Sequence, residues 1–155
     1  MSRFLCSVMV AVAVVTVVAA PTSAAPDEDF VTGTGEIFVV NFPFGPVVLS
    51  VFIDAHSDAS GGNPSGSFAI FVSETGTQLF SGPVACLHVT GNTATVGVDD
   101  RFSGPSAIQV VDNSAAGSPD TFGIRLGGVT DCTEAISFEP YTLVSGDLSS
   151  TTRCR

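Results

Sequence analysis

The clearest pattern of apolar and polar positions lies between Phe80 and Asp99, where two runs rich in β-branched residues meet at Gly91-Asn92. This dipeptide suits the two-residue turns that join antiparallel strands. With these residues as the loop, the bulky aliphatic side chains share one face, in the pairs Val89 with Ala94, Leu87 with Val96 and Ala85 with Val98. The other face carries Cys86, His88, Thr90, Thr93, Thr95 and Gly97. The pattern predicts a half-buried hairpin in an antiparallel sheet.

Further strands are predicted on both sides of this hairpin, because alternating apolar runs recur there between turns rich in Gly and Pro. They are Glu36 to Phe42, Val47 to Ala55, Ser67 to Ser73, Ala107 to Val111, Thr121 to Leu126 and Tyr141 to Leu148. A helical period is missing from the chain after its first 24 residues. This pattern favours an all-β fold, and we expect a single antiparallel β-sandwich, with a small β-barrel as the alternative.

The first 24 residues have the parts of a secretory signal peptide: Arg3, an apolar run from Val8 to Ala20, and small residues up to Ala24. The apolar run is short for a membrane span, which needs about 20 residues, so a retained membrane anchor is the weaker alternative. We expect cleavage after Ala24, a β-sandwich domain over residues 25–148 and a disordered tail over residues 149–155.

Charge limits the partners of the exported chain. All 15 acidic residues lie after Ala24, the chain has no Lys, and four Arg remain after Arg3 is removed, which gives a net charge of −11. Nucleic acids and anionic membrane surfaces require a basic face, so we expect neither as a partner. An extracellular macromolecule of unknown kind remains as a partner, and the field of the protein attracts cations.

Three cysteines remain after the signal peptide: Cys86, Cys132 and Cys154. Export to an oxidising compartment makes a disulfide the default. We predict the pair Cys86 and Cys132, since Cys154 lies in the polar tail. A free, buried Cys86 is the alternative, and Cys154 is left either to cross-link another molecule or to remain unused.

The chain resembles a family of uncharacterised exported β domains from high-GC bacteria over roughly residues 32 to 132. The motifs that carry the resemblance are Asn63-Pro64-Ser65-Gly66, Cys86-Leu87-His88-Val89-Thr90-Gly91-Asn92-Thr93-Ala94, and Val111-Asp112-Asn113 followed by Gly117-Ser118-Pro119-Asp120-Thr121-Phe122. The resemblance implies one domain and a disulfide between Cys86 and Cys132, and it implies no activity.

A possible metal site lies between two predicted strands, where Asp112, Asn113 and Asp120 offer two carboxylates and an amide in a loop of small residues. Ca²⁺ prefers six to eight oxygen ligands, several of them backbone carbonyls. The competing interpretation is that these side chains close turns by bonding their own backbone. A second set, Asp54, His56 and Asp58 with His88 as a further donor, is a weaker Zn²⁺ candidate.

The function predicted from the sequence is that of a secreted, non-enzymatic binding or structural module without an obligatory cofactor. One alternative is a surface or adhesion module stabilised by Ca²⁺ at Asp112, Asn113 and Asp120. The other is a secreted hydrolase with acidic catalytic residues, although the chain lacks a Gly-x-Ser-x-Gly motif.

Overall fold

The path of the chain is known from a computed structural model that describes residues 28–43, 45–101, 103–129, 131–134 and 136–153. The predicted signal peptide and Cys154 lie outside these ranges. The strands are β1 (Glu28–Val39), β2 (Val47–Asp58), β3 (Ser65–Val72), β4 (Thr77–Thr90), β5 (Thr93–Asp100), β6 (Gly104–Val111), β7 (Thr121–Arg125) and β8 (Pro140–Arg153), with a 3-10 turn at Ser114–Ala116. Within the described ranges, no helix is long and apolar enough to cross a membrane.

The eight strands form a closed antiparallel barrel in which each strand pairs with its neighbour in sequence and β8 pairs with β1. The chain is all-β as predicted, but the fold is the barrel given as the alternative, and the sandwich is not observed. The barrel resembles a sandwich because of its two 14-residue strands, β4 and β8. β4 pairs first with β3 and then with β5, and β8 pairs first with β7 and then with β1, so two curved sheets share these strands.

The predicted hairpin is confirmed in its turn and in its first two apolar pairs, Val89 with Ala94 and Leu87 with Val96. The third pair is wrong. A register shift places Val84 opposite Val98 and leaves Ala85 on the exposed outer surface. The extra residue of such a bulge bends the strand, and the bend lies where β4 changes partner.

The first and last strands extend well beyond their predicted limits. β1 begins at Glu28 rather than Glu36, and it pairs along its length with both β2 and β8. The disorder expected from residue 149 onward is not observed over residues 149–153, since β8 continues to Arg153. Other predicted limits also change: β1 ends at Val39, β2 continues to Asp58, β6 begins at Gly104 and β7 ends at Arg125.

Apolar side chains from all the strands fill the barrel interior. Phe68 is its central aromatic, with ring centroids 5.5 Å from Phe80 and 5.9 Å from Phe122. These rings come from β3, β4 and β7, so the packing ties the two curved sheets together. Alternate residues of β2 are aliphatic, and Leu49, Val51 and Ile53 are part of this core.

The predicted disulfide between Cys86 and Cys132 is present, and it holds the β7–β8 connection against the outer wall of the barrel. Gly97 and Ala107 pair across β5 and β6 and face outward, yet both are buried. Val129 and Cys132 are also buried and, like Ala107, lie outside the main core cluster. Gly97 is required there, because a Cβ atom at this position would collide with the sulfur of Cys86. The connection therefore covers a small second apolar cluster.

Candidate functional site

Asp112, the first of the predicted Ca²⁺ ligands, lies just after β6 and is engaged by backbone groups. One carboxylate oxygen accepts a hydrogen bond from the N–H of Ser114 (3.0 Å) and the other accepts one from the N–H of Ser150 (3.3 Å). Partial burial acts to raise the pKa of Asp112, but these hydrogen bonds from Ser114 and Ser150 outweigh it and hold the pKa below its ordinary value. The side chain links the β6–β7 loop to β8.

Asp120, at the other end of the loop, is buried and joins the same two parts of the chain. Its carboxylate accepts hydrogen bonds from the N–H of Asn113 (2.7 Å) and from the N–H of Leu148 (2.9 Å). The side-chain amide of Asn113 donates to the carbonyl of Pro119 (3.0 Å). Among the described residues no cluster of three or more His, Cys, Asp or Glu side chains is suited to a metal. Ca²⁺ binding at this loop stays a prediction.

The weaker Zn²⁺ candidate is divided between separate interactions. His56 Nε2 lies 2.9 Å from Asp54 Oδ1, and His56 Nδ1 lies 3.6 Å from a carboxylate oxygen of Glu28. Asp58 instead closes its own turn, and hydrogen bonds from the Ser60 side chain and nearby backbone lower its pKa. His88 lies on β4 and bonds the Thr90 hydroxyl (3.1 Å).

The outer wall contains a depression of about 750 Å³, which we call the outer groove. It lies where β4 leaves β3 and begins to pair with β5, so the diverging sheets open a gap between β3 and the end of β5. Small residues form much of its lining, and Gly82 is required, because a Cβ atom there would collide with the backbone of Asp99. Its lining includes the side chains of Ser67, Ala69, Gln78, Ser81, Asp99 and Arg101.

An aromatic pair, Phe52 and Phe71, stands beside the outer groove. The rings are 5.5 Å apart at 89°, edge to face, and Phe52 remains 45% exposed. Phe52 lies opposite Ala69 in the β2–β3 register, and a smaller depression of about 260 Å³ next to Phe52 shares Ser67 and Ala69 with the outer groove. The aromatic surface and the outer groove are therefore continuous.

The polar groups of the outer groove include both donors and acceptors. The Gln78 amide donates to the Ser81 hydroxyl (2.6 Å), which fixes one wall. Asp99 and Arg101 are exposed at the opposite side. Their turn is held by buried Asp100, which accepts hydrogen bonds from the N–H (2.7 Å) and the hydroxyl (2.8 Å) of Ser103. The groove thus offers an amide, hydroxyls, a carboxylate and a guanidinium on a supported frame.

No protein-family model, curated protein or solved structure matches this chain. The resemblance to exported β domains therefore stays a prediction.

The outer groove and its aromatic pair were not predicted from the sequence. One signal was present: the outward positions of β2 alternate Ser50, Phe52 and Asp54, which puts a large aromatic among polar residues on a solvent face. An exposed aromatic of this kind is more informative than a buried one, because burial in the core does not explain it. The remaining lining residues come together only through strand pairing.

Proposed function

We propose that this protein is a secreted, non-enzymatic binding module whose ligand occupies the outer groove. The observation that carries the proposal is the form of this surface, a concave polar depression continuous with an exposed aromatic side chain. Ligand sites commonly combine concavity, aromatic surface and a few directed polar groups. The barrel interior is filled by its own side chains, so a ligand binds on the outside of the barrel.

Two observations support a location outside the cell. The disulfide between Cys86 and Cys132 is typical of oxidising compartments, and the first 24 residues have the pattern of a signal peptide. The partner of an exported, acidic domain with a surface groove is then a macromolecule of the cell envelope or its surroundings.

The composition of the outer groove supports binding rather than hydrolysis. Among the described residues that line it, Asp99 is the one carboxylate. Glycoside hydrolysis by acidic residues ordinarily uses two carboxyl groups that flank the scissile bond. The Ca²⁺-stabilised alternative gains no support from the geometry, because Asp112 and Asp120 already accept backbone hydrogen bonds.

The test is binding of the purified exported protein to intact cells that produce it. Ala69→Tyr places a bulky side chain in the groove, at an outward strand position that tolerates aromatic residues. Thr95→Tyr is the matched control, since Thr95 is also half-buried and outward-facing, but lies on β5 between His88 and Gln109.

We expect saturable binding of the wild type, loss of binding by Ala69→Tyr and retention by Thr95→Tyr. Circular dichroism and melting temperature confirm that both variants fold. If the wild type does not bind the cells, or if folded Ala69→Tyr binds as the wild type does, the proposal is wrong.

A further inference from the structure

We infer that the ligand of the outer groove is a neutral polysaccharide, an inference that depends on the proposed function. The groove supplies hydrogen-bond donors and acceptors side by side: the Gln78 amide, the Ser81 hydroxyl, the Asp99 carboxylate and the Arg101 guanidinium. Sugar hydroxyl groups both donate and accept hydrogen bonds, so they can pair with every one of these groups. A purely apolar ligand would remove the Asp99 carboxylate and the Arg101 guanidinium from water without supplying partners for them, which is costly.

The aromatic pair supplies the second element of sugar recognition. A pyranose ring has one face of C–H groups, which carry partial positive charge and pack against the negative face of an aromatic ring. Phe52 is 45% exposed, and its edge-to-face contact with Phe71 fixes the orientation of the two rings. A sugar packed on Phe52 lies next to Ala69, from which the chain of the polysaccharide continues into the outer groove.

Charge distinguishes neutral from acidic polymers. The charges of Asp99 and Arg101 offset each other within the groove, whereas the whole chain has a net charge of −10. A polyanion would therefore meet repulsion from the protein without a compensating basic surface in the groove. A polycation would be attracted to the acidic surface in general rather than to this site.

The experiment compares binding to producing cells before and after two treatments. Periodate cleaves the vicinal diols of sugars, and a broad-specificity protease removes surface proteins. We expect periodate to weaken binding by roughly tenfold or more and protease to leave it unchanged. Phe52→Ala should weaken binding to untreated cells by about tenfold, as expected for loss of a central aromatic contact, while Thr95→Tyr binds as the wild type does.

A second arm uses purified polymers in affinity electrophoresis, with dextran, mannan and hydroxyethyl cellulose as neutral probes and alginate as the acidic probe. Retardation by a neutral polymer, reduced in Ala69→Tyr, supports the inference. Binding to cells that is lost after protease treatment overturns it, as does retardation by alginate alone. Binding that survives periodate overturns it when none of the neutral polymers retards the protein. These outcomes contradict the polysaccharide inference but not binding at the outer groove. The proposed function itself is wrong if Ala69→Tyr binds the cells as the wild type does.

Discussion

Removal of the disulfide gives the strongest expected effect on stability. Cys86 and Cys132 are 46 positions apart in the sequence, and their bond closes the chain from β4 to the β7–β8 connection. For a loop of this size, the entropy that the cross-link removes from the unfolded chain is worth about 4 kcal/mol. The double variant Cys86→Ala, Cys132→Ala should therefore lose about 4 kcal/mol in the free energy of unfolding.

The loss should have a structural counterpart on the outer wall. Without the bond, the β7–β8 connection is no longer fixed over Gly97 and Ala107, so these buried positions become accessible. Hydrogen exchange should then accelerate at backbone amides of the connection first, while the core strands remain protected.

Urea denaturation of the wild type and the double variant measures the change in free energy, and a thermal melt should show a fall of roughly 12–20 °C. Wild-type protein treated with reductant is the control, and its stability should agree with that of the double variant to within about 1 kcal/mol. A loss of less than about 1 kcal/mol would refute the argument that the bond stabilises the fold by restricting the unfolded chain.

Three further predictions concern the loop between β6 and β7. Asp120→Ala should lower the free energy of unfolding by about 2–3 kcal/mol, because it leaves the N–H groups of Asn113 and Leu148 without their buried acceptor, as chemical denaturation would show. Asp112→Asn should cost about 1 kcal/mol near neutral pH. Because folding lowers the pKa of Asp112, its stabilisation is present above the ordinary value of 3.8 and is lost as the pH falls through the folded pKa, so the two stability curves should converge in acid. Millimolar Ca²⁺ added after EDTA should leave the melting temperature unchanged, whereas a rise of several degrees, abolished by Asp112→Ala, would establish the predicted Ca²⁺ site.

Local pattern predicted the elements of this fold well, and its failures have local causes. The turn at Gly91-Asn92 and the inward positions of β2 follow from residue type and alternation alone. The bulge at Ala85 does not, because both Val84 and Ala85 are small apolar residues, and the choice between them depends on where β4 changes partner. Alternation defines the faces of a strand, but it does not define its register.

Closure of the barrel was harder to predict than its strands. A sandwich and a barrel show the same alternation and turn spacing, and the difference here is the pairing of β1 with β8. That pairing uses residues 149–152, a Ser/Thr segment whose polar composition resembles a disordered tail. This segment is a strand because β1 supplies its hydrogen bonds, and β1 and β8 lie at opposite ends of the described chain.

The candidate sites, like the fold, could be predicted from the sequence only in part. Asp112, Asn113 and Asp120 were found from composition, and the structure places all three in one loop with backbone partners for each. The outer groove is formed by residues of β3, β4 and the end of β5, so no single stretch of sequence contains it. The position of Phe52 among polar residues is the one sequence signal for this surface.

The most direct test of the central claim is to map the surface that contacts the ligand. Amide chemical shifts of the isotopically labelled exported protein would be followed during titration with polysaccharide released from the envelope of the producing cells. We predict shifts at Ser67, Ala69 and Ser81, with no change at Thr95 and Gln109 on the other part of the wall. Shifts centred on Thr95, or no shifts at saturating polysaccharide, would contradict the account.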